Sequence, residues 1–595
     1  MFAVIRETVF GKKEPFQTPP KTKFILPIEY NTVNQTKQIT PSVKEDLDLV
    51  NVYKHICHIT NTEIGGFEQS IIDSTASVYT TSTPYLVDTQ SLYKKWVSTD
   101  FSEKRPVQCK HMESIYSSIY EDEMFMDKYN FMDIEMLSYL NNSSAYLQSL
   151  SVVQLVSPLS SIVVPILMCL IPFVLLKIKG IQIDLTTYVN LLKEIGKNHF
   201  IGKTLVTIKE MSFYNFCKLC LLVGFYCMQI YQNIKSLHRY YRNIKQLNDH
   251  VFSLKQYLQY MSGRMQTFLD YASGLPSYST FCKQILTNQI TVRAILADLE
   301  DITPFTLSVR TFNSPGYLLK CYYQLHDSSD IQSCMQFVFG FDGYINVTNA
   351  VAMCIGNKKI NYATFTEDNK KTKLMKQIYP FQIDLVESES KSGVANTCEL
   401  KKNMIITGVN ASGKTTLLKT TAINILFSQY HGCGFYEACR LSVYSHIHSY
   451  LNIPDTSGRD SLFQAEARRC KQILDIIETR DEKERHFCIF DELYSGTNPT
   501  EASKIAFSFL VYLSKYQHVD FMMTTHYIQV CKRVKKHASE FITNYQMDTI
   551  FHSLYTEYTY KLKKGICEKE GAITILKSLE YPIDIINTLL TNFTK

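Results

Sequence analysis

The chain has 595 residues, of which 45% are apolar and 20% charged, and its formal net charge is +6. That balance excludes a dominantly disordered chain, a histone-like polycation and a short disulfide-stapled scaffold, and it leaves room for a local basic groove. Length suggests about three or four domains. Seventeen cysteines scattered without framework spacing fit a reducing compartment, and Met1 to Pro20 has no signal-peptide core, so an intracellular location is expected.

Residues 1–140 are mixed and polar and receive no fold assignment. The Ser-, Thr- and Tyr-rich stretch from Ser74 to Tyr93 reads as loops or short strands. No charge then occurs between Glu135 and Lys177. Within that gap Leu155 to Leu176 is strongly apolar and long enough to span a bilayer. Pro158, Pro165 and Pro172 fall inside it, and each disrupts a soluble helix by ~3 kcal/mol. Membrane helices tolerate proline better, because neighbours re-satisfy the freed backbone groups. A second apolar run, Leu219 to Ile234, is shorter and more polar. Either the first run enters a membrane or it is a proline-broken core segment.

From Leu237 the apolar period sharpens. Tyr240, Ile244, Leu247, Val251, Leu254, Leu258, Met261, Met265 and Phe268 follow in steps of three and four, a heptad seam that predicts one long helix from about Asn233 to Tyr271. Such a helix is ~58 Å long and packs against another long helix. Leu286 to Asn349 also looks helical. The basic polar stretch Asp368 to Lys376 marks the last boundary. The expected division is 1–140, 141–235 with the apolar segments, 236–375 with the helical lever region, and 376–595.

The last segment carries the chemistry. Gly408-Val-Asn-Ala-Ser-Gly-Lys-Thr415 fits the phosphate-loop pattern, follows the buried strand run Met404 to Thr407 and precedes a helical run from Leu417 to Phe427. Its glycines let backbone N–H groups close on phosphate oxygens at a helix N-terminus, a cradle formed by Gly408, Asn410, Ala411, Ser412, Gly413 and Thr416. Lys414 is placed to reach the β- and γ-phosphates, and Thr415 to hold Mg²⁺ through its hydroxyl. Downstream, Phe487-Cys-Ile-Phe is a strand ending in Asp491 and Glu492, one carboxylate for Mg²⁺ and one for the attacking water. A third strand, Val519 to Met523, runs into Thr524-Thr525-His526, which places His526 where it can contact the γ-phosphate. Between them, Ser457 to Glu466 is a polar turn entering a helix with Ser461 near its cap.

This order of elements resembles the MutS family within the ABC-type ATPases. Asp491-Glu-Leu-Tyr-Ser-Gly-Thr-Asn498 is similar to that family's Asp-Glu-x-x-x-Gly-Thr run, and Thr524-Thr-His-Tyr527 to its Ala-Thr-His-Tyr run. Gly565 to Gly571 and Pro582 to Ile586 resemble its tail. The resemblance covers about Phe381 to Leu589. It implies an α/β fold class, with a C-terminal ABC-type P-loop ATPase domain preceded by a long-helix, lever-like region and an N-terminal domain of unknown fold. It further implies ATP with Mg²⁺ as cofactors and a homodimer or MutS-like heterodimer, with Ser461 reaching the γ-phosphate of the partner's nucleotide.

Asp460 is one residue more than the family's signature loop has, and Lys569-Glu570 stands where the family has a hydroxyl-aromatic pair. Phe101-Ser-Glu103 and Phe365-Thr-Glu367 match the letters of the mismatch wedge, but no sensor-domain pattern surrounds either. Cys217 and Cys220 read as helix packing. His55-Ile-Cys57-His58 and Cys109-Lys-His111 do not have the spacing of known zinc fingers.

The expectation is a MutS-like ATPase acting as a dimeric clamp on double-stranded, branched or mismatched DNA. The alternative is a membrane-anchored ATPase, held through 155–176, that acts on a protein or lipid assembly without DNA. The loop between the two apolar runs is rich in lysine and so prefers the cytosol, where an ATPase must also sit, and this leaves a topology unassigned.

Overall fold

The computed structural model describes the chain except residues 1–23, 31–34, 99–111, 113, 116–118, 120–124, 181–183, 197–212, 307–314, 367–371, 388–392, 452, 454–460, 553–555, 569–575, 577–578, 580 and 593–595. Phe101-Ser-Glu103, Cys109, His111, Glu367, Ser457 to Asp460 and Lys569-Glu570 therefore lie outside the described residues. The chain forms two compact units that are discontinuous in sequence. One comprises 1–104, 264–288 and 336–595, and the other 105–263 and 289–335.

The first unit contains a hairpin of β1 (Thr36–Gln38) and β2 (Val78–Thr80), and helices α1 (Gly66–Thr75) and α2 (Thr83–Ser98). The stretch from Ser74 to Tyr93, expected as loops or short strands, is therefore largely helical. Tyr85, Leu86, Thr89, Leu92, Tyr93 and Trp96 of α2 are buried in steps of three and four. Polar Thr and Gln on the buried side hid that period.

The second unit is helical and holds α3 (Ser144–Ile178), α4 (Leu185–Gly196), most of α5 (Phe213–Ala272), the later half of α6 (Ser279–Asp298) and α7 (Pro315–Asp327). Gly316 lets α7 lie against α3, since a Cβ there would stand 2.4 Å from the Gln148 backbone nitrogen. The Gly316 N–H donates to Gln148 Oε1 at 2.9 Å. α3 continues through all three prolines. α5 starts about twenty residues before the expected Asn233, because nothing in Leu219 to Ile234 breaks a helix. Its seam residues from Ile244 to Phe268 are buried, while Leu237 and Tyr240 are half-buried.

α8 (Ser329–Gly356) leads back into the first unit. Among the helices whose side chains are described throughout, it is long and apolar enough to cross a membrane, but 78% of its apolar window is buried, as in a core helix.

Two sheets follow. The smaller has the order β5 (Asn396–Glu399), β4 (Lys373–Gln377), β8 (Ala438–Leu441), β3 (Asn361–Phe365) and β7 (Cys433–Gly434). The larger has the order β13 (Thr556–Lys564), β12 (Ile542–Phe551), β6 (Asn403–Thr407), β11 (Val519–Thr524), β10 (His486–Asp491) and β9 (His446–Tyr450). All its neighbours are parallel except β12 and β13. Every residue of β6 and β11 is buried, as parallel strands covered on both faces require. The helices of this part are α9 (Lys414–His431), α10 (Leu462–Thr479), α11 (Pro499–Leu513) and α12 (Ile528–His537). The last three pack around Ile405, Phe490, Phe521 and Met523.

α9 is buried along nearly its whole length, and the N-terminal segment supplies part of its cover. Gln429 Nε2 donates to the carbonyls of Thr80 at 3.1 Å and Tyr444 at 2.8 Å, and Gln90 Nε2 donates to those of Ala363 at 2.7 Å and Gly432 at 2.6 Å. Tyr53 and Tyr93 hydroxyls hold the two ring nitrogens of His431, whose pKa burial lowers to about 3. Residues near the N-terminus thus complete the hydrogen bonding of the helix that follows the phosphate-loop pattern.

Candidate functional site

Strands β6, β11 and β10 are neighbours, and their carboxyl ends share one edge of the sheet. Loops past that edge are free of the ladder, and ligands bind there in open α/β sheets. Past β6 runs the loop 408–413, past β10 comes Glu492, and past β11 come Thr525 and His526.

The loop is shaped by backbone that only some residues adopt. Ala411 and Gly413 have φ of 62° and 89°, and Gly413 caps α9. At Gly408 a Cβ would stand 2.7 Å from Ser412 Oγ. Ser412 is buried, and its hydroxyl has no hydrogen-bond partner. An orphaned buried hydroxyl inside a glycine loop is what an oxyanion ligand would satisfy.

Lys414 is buried at the start of α9. Its Nζ donates to the carbonyls of Gly408 at 3.1 Å and Val409 at 3.2 Å and lies 3.1 Å from His526 Nε2. Burial lowers its pKa, against the opposing pull of Glu492 and Asp491. The ammonium is therefore held where its charge is costly unless an anion arrives.

Asp491 accepts from the Thr415 hydroxyl at 2.8 Å and from the Thr524 hydroxyl. The Thr415 and Asp491 oxygens are hard donors of the type Mg²⁺ takes, with its other positions left to water and phosphate. Glu492 has φ of 53°, a left-handed backbone costly for a non-glycine residue. That turn directs its carboxylate back, with Oε1 3.1 Å from His526 Nε2. The hydrogen bond to His526 holds the Glu492 pKa below the usual carboxylate range. One ring nitrogen of His526 thus faces both Lys414 and Glu492. It donates to Glu492 when it carries the proton, and accepts from Lys414 when it does not.

Lys414, Thr415 and Glu492 border a cavity of about 730 Å³, whose lining also includes Asn410, Thr416, Tyr379 and Tyr560. That volume is in the range of small-molecule sites. The structure thus brings together the loop residues, Lys414, Thr415, Asp491, Glu492 and His526.

Ser461 caps α10. Its Oγ accepts from the Gln464 N–H at 3.3 Å, and its own N–H donates to Gln464 Oε1 at 3.0 Å. Sequence reasoning assigned no role to Glu466, which is buried. Its carboxylate accepts from the Ser495 N–H at 3.0 Å, the Ser495 hydroxyl at 2.8 Å and the Gly496 N–H at 3.1 Å. Gly496 allows the approach, since a Cβ there would stand 2.8 Å from the Phe463 nitrogen. The helix capped by Ser461 is thereby locked to the loop that leaves Asp491 and Glu492. Only a pairing across the fold shows this, so no local spacing signalled it.

The weaker motifs fare differently. Cys217 and Cys220 are exposed, so packing does not explain them. Cys57 is buried, with its thiol pushed up to about 12 by burial, and His55 lies 3.4 Å from Asp384. Among the described residues no cluster of three or more His, Cys, Asp or Glu side chains could hold a metal.

Comparison with known proteins places the same segment in a family. The model for MutS domain V matches residues 404–594. A protein named Endonuclease MutS2 from Staphylococcus epidermidis is 30% identical over 205 residues, covering 33% of this chain and 25% of that protein. One of the same name from Staphylococcus aureus is 30% identical over 205 residues, covering 27% of its length. The chain spans about a quarter of the length of these curated relatives. This C-terminal segment, with its glycine loop, paired carboxylates and Thr-Thr-His run in one α/β sheet, is the part of the chain that matches MutS domain V and is similar to the MutS2 proteins.

Proposed function

We propose that this chain is a Mg²⁺-dependent ATPase that works as a dimer on DNA. The observation that supports it best is that Lys414, Thr415 and Glu492 line one cavity at the edge of three parallel strands, with His526 against Lys414 and Glu492 and Asp491 bonded to Thr415. Loop N–H groups and Lys414 bind the triphosphate, and the Ser412 hydroxyl gains its missing partner there. Thr415 and Asp491 would hold Mg²⁺, which would neutralise charge on the phosphates. Glu492 stays ionised, because His526 stabilises its carboxylate, so it orients the attacking water more than it takes a proton. Tyr379 and Tyr560 offer aromatic faces to the base.

Ser461 completes the site of the other subunit, and the heptad helix carries the nucleotide state toward a clamp. The name of the relatives favours nucleic acid as the target over an assembly without DNA. The test is a binding titration of the full chain with duplex and branched DNA over a range of salt. Affinity should fall linearly on logarithmic axes as phosphate contacts release counterions. No binding at low salt would reject the DNA role and leave the ATPase standing.

Glu466 should matter for turnover more than for binding. Glu466→Gln turns one acceptor into a donor facing N–H groups, at a cost of about 1–3 kcal/mol. Steady-state turnover should fall ~10-fold while ATP affinity changes less than ~2-fold. Equal losses in both would show that the loop serves binding instead.

A further inference from the structure

We propose that the outer arms of α3 and α5 form a helical hairpin that inserts into a lipid bilayer. Ser151 of α3 and Tyr240 of α5 lie side by side. From that pair outward, Ile178 and Phe213 are equally far along their helices, ~27 residues or ~40 Å. Both arms are apolar in sequence, and their described side chains are largely uncovered. Val156, Leu170 and Ile178 are 50%, 51% and 75% exposed, and Phe213, Leu221 and Phe225 are 84%, 63% and 68% exposed.

A second protein copy would cover one stripe of each arm and leave a polar stripe toward water. α3 has no such stripe. No charged residue occurs on any side of it between Glu135 and Lys177, and the helix persists through Pro158, Pro165 and Pro172. A helix apolar all round is either buried or in lipid. The uncharged span from Val156 to Leu176 is ~30 Å of helix, the thickness of a hydrocarbon core.

Charge returns sharply at both ends. Lys177 and Lys179 close α3, and Lys235 and Arg239 stand on α5 within a turn or two of Tyr240. Between Phe213 and Ile234 of α5, Lys218 is the one charged residue. Beyond the tip α4 turns back onto α3, with the Tyr188 hydroxyl accepting from the Phe173 N–H at 3.1 Å. Both rims are basic, so they suit anionic headgroups and do not by themselves set an orientation.

The test is flotation of the full chain with phosphatidylcholine–phosphatidylglycerol vesicles, followed by washes in molar salt and in alkaline carbonate. The chain should stay with the lipid through both. The double variant Leu167→Glu, Leu170→Glu should lose ~10-fold in flotation, with unchanged ATP binding as the check that it folds. Labelling gives a second measurement. Cys227 is exposed halfway along the arm of α5. A polar maleimide should label it at least ~10-fold more slowly in vesicles than in lipid-free protein. A chain that stays monodisperse in solution without lipid or detergent, release by salt alone, or unchanged Cys227 labelling would each overturn the hairpin. ATP binding by the same sample keeps its failure distinct from failure of the ATPase reading.

Discussion

Glu492→Gln should retain ATP and lose at least ~100-fold in hydrolysis. The substitution keeps shape, and the amide oxygen can still accept from His526 Nε2, now 3.1 Å from the carboxylate. It removes the negative charge that orients water and that also faces Lys414. With one negative charge fewer beside the triphosphate site, ATP affinity should hold or rise. Single-turnover hydrolysis measured beside equilibrium ATP binding separates the two effects. Wild-type turnover in the variant would remove Glu492 from the reaction and point to another water-positioning group.

Lys414→Ala should lower ATP affinity by ~100-fold or more, because charge-assisted bonds to two phosphates are worth about 1.5–3 kcal/mol each. The free protein should not become less stable. Burial already works against the Lys414 ammonium, and its partners there are two loop carbonyls and His526. A thermal midpoint equal to or above wild type, with nucleotide binding lost, is the expected pair of results in calorimetry and differential scanning. Unchanged ATP affinity would reject the phosphate-loop assignment. A collapse in stability would mean that the lysine serves the fold.

What was legible in the sequence follows from how local each constraint is. The phosphate loop could be read because a tight turn, a close backbone approach and a helix start need particular residues within eight positions. The heptad seam from Ile244 to Phe268 could be read because one face of one helix repeats. Helix α2 could not, because its buried side mixes Thr89 and Gln90 with aromatics and matches no simple apolar period. The cover that Thr80 and Gln90 give to α9 depends on hydrogen bonds over hundreds of residues. The Glu466 lock was invisible because its partners, Ser495 and Gly496, stand 29 and 30 residues further along the chain, although Glu466 itself stood inside a recognised motif.

The central claim is that each nucleotide is shared between two copies of the chain, one giving Lys414 and the other Ser461. The most direct measurement mixes Lys414→Ala chains with Ser461→Ala chains and follows ATP hydrolysis. Each variant alone should be nearly inactive, the second partly because α10 also loses its cap. Random pairing should restore roughly a quarter of wild-type activity, since half the dimers would hold one intact shared site. Activity equal to the sum of the two separate variants would contradict the shared site.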